Sequence, residues 1–417
     1  MSNQALEFGA QLGVSYESSD NIELLPEENA TSDDLRELRL NLVLDGEANV
    51  YELDMDYFLI GRDYKDDNLA DNNLVSGRAL IKWTPLPRRF SWDIMHLRSE
   101  STTNTQFEPT PENDETRNVF ATGPDLTIAL GGSSDLIFGM RYTEIEFERS
   151  TESNNNRLGA SIEWARELSP VSQLSARIRH QDVDYDIGFE QEFSQITAEY
   201  EATLRRSSYS IRLGYNKAET VLGDDVSAPL VRLQGIISIY ENPLTLIYTR
   251  ELTDTSLGLI ETTIESETFS LEDGAGQNFE EIDVLLQQNA LISYEMDNFC
   301  NSCSLRLSAA YDKLDYETLL RDEESFGPNI EFRYAFSPRI DIGLSAQYLE
   351  RRFPDLEPSR EDEQSFYGVD VAYNRWRNID LAFGVVKQDR TSNLPGFDFE
   401  ETRFVFSIFW SFGSAAF

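Results

Sequence analysis

The stretch Ile340-Asp341-Ile342-Gly343-Leu344-Ser345-Ala346-Gln347-Tyr348 decides the fold. Ile340, Ile342, Leu344, Ala346 and Tyr348 alternate with Asp341, Gly343, Ser345 and Gln347. One face is apolar and the other polar, at the period of 2 that belongs to a strand. The same alternation recurs in Leu38/Leu40/Leu42/Leu44 against Arg39/Asn41 and in Tyr51/Leu53/Met55/Tyr57 against Glu52/Asp54/Asp56. It returns in Tyr209/Ile211/Leu213/Tyr215, Leu244/Leu246/Tyr248, Leu305/Leu307/Ala309/Tyr311, Ile330/Phe332/Tyr334/Phe336 and Ile379/Leu381/Phe383/Val385. No run reads as helical.

The connections are of two kinds. Gly46–Asn49, Pro85–Arg89, Gly131–Ser134, Ser169–Ser172, Arg205–Ser208, Glu241–Pro243, Ser337–Arg339 and Asn374–Arg377 are short and hold the residues that tight hairpins need. Ser18–Asp34, Asp63–Asp71, Glu100–Glu115, Asp254–Asp283 and Pro354–Glu363 are longer and acidic. Short turns at one end and long loops at the other predict an all-β fold, a transmembrane antiparallel up-and-down β-barrel of about 20 strands (about 18 to 22), with turns periplasmic and loops extracellular. The whole chain, 1–417, reads as one such domain. A soluble propeller would carry a repeat of roughly 40 to 50 residues with fixed marker residues, and none is present.

Composition excludes other classes. With 75 Asp and Glu against 35 Lys and Arg, the formal net charge is −40, which repels nucleic acid. Aromatic residues at 12% and hydrophobic ones at 40% are too many for a disordered acidic chain. No apolar run is long enough for a membrane-spanning helix, and mean hydropathy is −0.43. A membrane barrel escapes such a scan because its strands alternate lipid-facing and lumen-facing residues. Met1–Leu6 has no basic segment followed by an apolar one, so a secretory signal is expected to have been removed or to lie upstream of this start.

Near the end, Phe404, Phe406, Ile408, Trp410 and Phe412 share one face, and the chain closes on Phe417. This resembles the closing strand by which bacterial outer-membrane proteins are recognised by the barrel assembly machinery, with Gly413–Ala416 separating the stripe from the last Phe. Tyr16-Glu17-Ser18-Ser19-Asp20-Asn21-Ile22-Glu23-Leu24 resembles a first-strand exit of the porin-like barrels attached to exopolysaccharide operons. Ile247-Tyr248-Thr249-Arg250-Glu251-Leu252-Thr253-Asp254-Thr255-Ser256 is similar to a strand-to-loop segment of barrels associated with PEP-CTERM and exosortase systems. The resemblance implies the bacterial outer membrane as location, and its lipid and lipopolysaccharide as surroundings. It further implies a polysaccharide substrate or a periplasmic export partner.

A barrel of this size encloses a lumen. The polar faces predict that Glu52, Asp54, Asp56, Arg177, Arg179, Arg212, Glu331, Arg333, Asp341 and Asp380 line it, and cross-strand ion pairs bracing the wall are the plain reading for any one of them. The long loops concentrate acid: Glu27, Glu28, Asp33 and Asp34 in the first, Asp63, Asp66, Asp67 and Asp71 in the second, Glu261, Glu265, Glu267, Glu272, Asp273, Glu280 and Glu281 in the longest. The turns carry Arg88, Arg89, Arg205, Arg206, Arg339, Arg375 and Arg377. An acidic mouth concentrates cations and repels polyanions, while carboxylates that bind divalent ions bridging to lipopolysaccharide, or simply stay solvated, are the alternatives. Leu257, Leu259, Ile260, Ile264 and Phe269 suit the longest loop to folding over the mouth.

Cys300-Asn301-Ser302-Cys303 reads as a turn holding two thiols or a small-loop disulfide, because no second Cys or His pair completes a zinc site. Enzyme chemistry is not expected, nor a metal or cofactor. His96 and His180 lie in strand patterns, and His180 follows Leu174/Ala176/Ile178 on an apolar face. A satisfied wall residue is the plain reading, since a catalytic base there requires a Ser within hydrogen-bond reach. The functions left standing are a conduit for exported polysaccharide, a general or cation-preferring diffusion porin, and a sheath around a partner protein. An acidic mouth in the conduit points to a neutral or cationic polymer.

Overall fold

The computed structural model describes residues 6–66, 68–104, 106–107, 110–111, 113–220, 225–256, 282–376 and 378–413. Its strands are β1 (Leu6–Ser19), β2 (Asp33–Ala48), β3 (Tyr51–Tyr64), β4 (Asn72–Leu86), β5 (Phe90–Thr102), β6 (Asp114–Gly131) and β7 (Ser134–Phe147). They continue with β8 (Asn155–Ser169), β9 (Ser172–Tyr185), β10 (Glu190–Leu204), β11 (Ser207–Thr220), β12 (Val226–Ile239) and β13 (Asn242–Asp254). The last are β14 (Val284–Cys300), β15 (Cys303–Tyr316), β16 (Glu323–Ser337), β17 (Ile340–Phe353), β18 (Arg360–Trp376), β19 (Ile379–Ser392) and β20 (Phe399–Gly413).

Each strand pairs antiparallel with its sequence neighbours, and β1 pairs with β20, closing one 20-stranded sheet. The closure is close-packed. Gly13 lies opposite Phe409, and a Cβ at Gly13 would stand 2.9 Å from that ring, so only glycine leaves the aromatic side chain its place across the seam. The register carries one set of alternate residues around the outside, including Phe8, Leu38, Ile128, Ile178, Leu213, Leu344, Phe383 and Phe406, all exposed and apolar. The other set faces inward and is mostly polar. Closure gives every strand a hydrogen-bonded neighbour on both sides across the membrane-spanning part of the sheet, as lipid demands of any spanning structure. Replacing Leu344, midway along β17, by Arg is expected to cost about 2–4 kcal/mol, read as a lower urea midpoint in reversible unfolding from vesicles.

Strand boundaries differ from those expected. The first turn lies at Asn49 and Val50 rather than Gly46–Asn49, β5 runs on to Thr102, β6 starts at Asp114, and β18 begins at Arg360. Asp33, Asp34 and Asp63 accordingly belong to strands and not to loops. Apolar alternation marks only the lipid-embedded part of a strand, whereas ladder hydrogen bonds continue beyond it where both faces are polar. The Cys300 and Cys303 sulfurs are bonded across the β14–β15 turn.

Candidate functional site: a lumen narrowed from the loop side

The register sets all ten polar residues singled out above on the inner face, but in separate groups. Glu52, Asp54 and Asp56 stand together on β3. Arg177 and Arg179 on β9 lie two strands from Arg212 on β11. Glu331 and Arg333 on β16 adjoin Asp341 on β17, and Asp380 stands on β19. Several are braced by partners that alternation alone did not single out. Asp54 pairs with Arg78 (3.2 Å), Arg177 with Glu163 (2.6 Å), Arg212 with Glu199 (2.8 Å) and Glu331 with Arg306 (3.3 Å).

The inner wall is charged unevenly. On β1–β3 the turn-side half collects Glu7, Asp45, Glu47, Glu52, Asp54 and Asp56, with Asp45 directly opposite Asp54 and Glu47 directly opposite Glu52. Like charges facing each other across a ladder are destabilising. On β8–β12 the inward charges are mixed: Arg177 is paired with Glu163, Arg212 with Glu199, Arg232 with Glu251 of β13 and Arg157 with Asp254, so that wall carries no comparable excess of acid. Sequence reasoning missed Asp45 and Glu47 because they lie past the alternation ending at Leu44, Glu47 inside the expected turn, and Arg232 because β12 is apolar on both faces at Leu230-Val231 and Ile236-Ile237.

The lumen does not keep one width. Pairing of β12 with β13 stops at Val231 and Arg250, although β13 continues to Asp254 paired with β14. Pro229 lies in the half-paired stretch of β12, as sheet edges tolerate. Beyond this point β13 and β14 bend inward, so that residues on their outward register pack on the inner wall. Leu252 and Val284 are buried with Ala218 of β11 and Ala228 of β12, and Phe193, Val226 and Leu286 close around them. Asn216 of β11 donates to the Leu252 carbonyl (3.0 Å).

The tip of β13 is fastened to β8, five strands away. Arg157 donates two parallel hydrogen bonds to the Asp254 carboxylate (2.7 and 2.8 Å), a third to Ser256 Oγ (2.5 Å) and a fourth to Asn155 Oδ1 (2.8 Å). Tyr185 Oη on β9 reaches the same carboxylate at 3.4 Å. Arg157 and Asp254 are each 1% exposed. A bidentate pair with its remaining donors and acceptors satisfied is the form in which a buried ion pair holds well. A cavity of about 30 Å³, lined by Arg179, Gln181, Gln195, Asn216 and Thr253, separates hairpin from wall in part. That is room for a water or two among polar groups, so the seam is not a continuous dry core.

Elsewhere the loop-side inner wall is also packed. Leu97, Val119, Ile145 and Phe147 form one cluster. On the far side Arg360 lies between the rings of Phe353 and Phe397, with the guanidinium carbon 4.1 and 4.4 Å from their centroids. At the turn end Glu47 and Glu52 are exposed. The lumen therefore opens toward the turns and narrows toward the loops.

A closed sheet, apolar outside and polar within, can rest only in a lipid bilayer that strands cross. The chain is a bacterial outer-membrane β-barrel. No protein-family model and no curated protein matches it. Among solved structures it is similar to the FrpB iron transporter from Neisseria meningitidis (F5-1 variant; 9% identity, 97% of this chain and 82% of that chain, TM-score 0.49). It is also similar to the siderophore receptor PirA from Pseudomonas aeruginosa (12%, 97% and 80%, TM-score 0.46) and to OpdQ of the same species (10%, 100% of both chains, TM-score 0.43). At such identities the likeness is one of fold.

The barrel's mouth is pinned between loops as well. Asp283 accepts from the Thr318 and Leu319 amides (both 2.9 Å), tying the end of the longest loop to the one after β15. Asp322 in that loop accepts from the Tyr316 amide (2.8 Å), and burial, with Asp355 nearby, raises its carboxyl above the ordinary range. The expected fold-back of Leu257, Leu259, Ile260, Ile264 and Phe269 lies outside the described residues, as do the acids Glu261–Glu281, Asp67, Arg377 and Phe417.

Both histidines face outward. His96 is held between Tyr57 Oη (2.5 Å) and Asn118 Oδ1 (2.6 Å), a satisfied wall residue. His180 meets Ser194 Oγ at 3.0 Å through Nδ1 and Asp182 Oδ1 at 3.2 Å through Nε2.

Proposed function

We propose that the barrel is a gated, cation-preferring channel for small hydrophilic solutes, with β13–β14 as the gate and the acidic wall of β1–β3 as the selective surface. Its lumen does no chemistry. The observation that carries this reading is the row of like-charged pairs, Asp45 opposite Asp54 and Glu47 opposite Glu52, exposed to the lumen where it is wide. A wall that tolerates such repulsion presents a standing negative potential, which concentrates cations. The test is conductance of the refolded protein in a planar bilayer under a salt gradient. Brief or absent openings with cation preference are expected, and steady anion-selective steps would exclude the proposal.

Export of an extracellular polysaccharide is the second reading, favoured by the one-sided narrowing, since a substrate would enter the wide end from the periplasm. The polymer would be neutral or cationic. Against it, the described inward aromatics are scattered rather than in a track: Trp83, Trp92, Trp164 and Trp410 take the outward register, Phe58, Phe366 and Phe409 stand on strands far apart or alone, and inward Tyr64 and Tyr185 are buried at the loop end. Unchanged surface polysaccharide in a deletion strain would remove this reading.

A further inference from the structure

The contact that sequence reasoning made the condition for catalysis is met on the outer wall. Ser194 and His180 are directly opposite on β10 and β9, with Oγ and Nδ1 3.0 Å apart. Asp182, two residues along the same face as His180, holds the other ring nitrogen at 3.2 Å. Nucleophile to base to orienting carboxylate is the order of parts in acyl-transfer catalysis, wherever the residues fall in the chain. Glu192, directly opposite Asp182, brings a second carboxylate, and ligand atoms of His180, Asp182 and Glu192 all lie within 4.8 Å of one another. Two carboxylates stabilise the imidazolium that forms when the base takes the serine proton.

The place of the group selects its substrate. Directly toward the turns on the same outer face stand Ile178 and Ile196, 59% and 56% exposed, while toward the loops stand the exposed acids Asp182, Asp184, Glu190 and Glu192. The site thus sits where the apolar belt gives way to polar wall, the height of the ester groups of a bilayer leaflet. Lys217, directly opposite Ser194 on β11, has its ammonium held by Glu219 (2.5 Å) and Asp225 (2.6 Å).

We propose that Ser194, His180 and Asp182 form a hydrolytic site for carboxylic esters of membrane lipids in the outer leaflet. The acyl chain lies along Ile178 and Ile196, and the ester carbonyl reaches Ser194. The Ser194 oxygen bonds to the carbonyl carbon while its proton passes to His180. The tetrahedral adduct expels the alcohol part of the lipid, which takes that proton and leaves an acyl-serine. Water, deprotonated by His180, then releases the fatty acid and restores the serine. Oxidation states do not change, and water is the only co-reactant.

The experiment incubates the refolded full-length barrel with a phospholipid in mixed micelles and measures fatty acid release, alongside labelling by a fluorophosphonate. Folding of each variant is verified by its heat-modifiable electrophoretic mobility. Ser194→Ala and His180→Asn are expected to lower release by about 10²-fold or more and to remove the label. Asp182→Asn should lower the rate and alter its pH profile while leaving substrate affinity near that of the parent. No release by the parent barrel, or release and labelling unchanged in folded Ser194→Ala, would overturn the assignment.

Discussion

Replacing Arg157 by Ala should turn a quiet barrel into a conducting one. Without the guanidinium, Asp254 is left as a buried carboxylate facing Tyr185 and Ser256, and removing one member of such a pair costs about 3–5 kcal/mol. The cost falls on the folded-in position of β13–β14 and not on the barrel, because no ladder between neighbouring strands runs through Arg157's side chain. Since about 1.4 kcal/mol is tenfold, the closed-to-open ratio should fall by about 10²–10⁴. The measurement is open probability in planar bilayers, with mobility in gels verifying that the barrel is intact. Pairing Arg157→Met with Asp254→Leu removes both charges and should restore closure, because an apolar pair of similar volume seals a buried site as well as an ion pair does. An intact Arg157→Ala barrel that stays silent would show that β13–β14 is not the gate.

The second large effect joins selectivity to stability. Glu52→Gln, Asp54→Asn and Asp56→Asn together, measured in the conducting Arg157→Ala background, should reduce the cation-to-anion permeability ratio by about three- to tenfold. Each like-charged pair relieved should stabilise the barrel by about 0.2–1 kcal/mol, offset by the lost Arg78–Asp54 contact and by lost attraction to the cations Lys82 and Arg78, which directly face Glu52 and Asp56 on β4. Reversal potential under a salt gradient gives the first quantity and the urea midpoint the second. A wall that merely braces the barrel would lose stability on the same changes and keep its ion preference.

Alternation in segments such as Ile340–Tyr348, the rhythm of short turns and long acidic loops, and the Phe404–Phe412 stripe determined by themselves that this chain is an outer-membrane barrel of about 20 strands. Strand period also set alternate side chains on opposite faces, although Asp45, Glu47 and Arg232 were passed over. Boundaries were less legible, because polar strand ends such as Asp33 and Arg360 keep their ladder hydrogen bonds without apolar alternation. Only the tertiary structure decided where β13 parts from β12. Leu252 and Asp254 fall in the sequence where β13 passes into the long acidic loop, and nothing there shows that they pack on the inner wall once the hairpin bends. The Arg157–Asp254 contact joins residues 97 apart, and Ser194 meets His180 only through the β9–β10 register. Strand period assigns each side chain a face, but which faces meet depends on how the whole sheet closes.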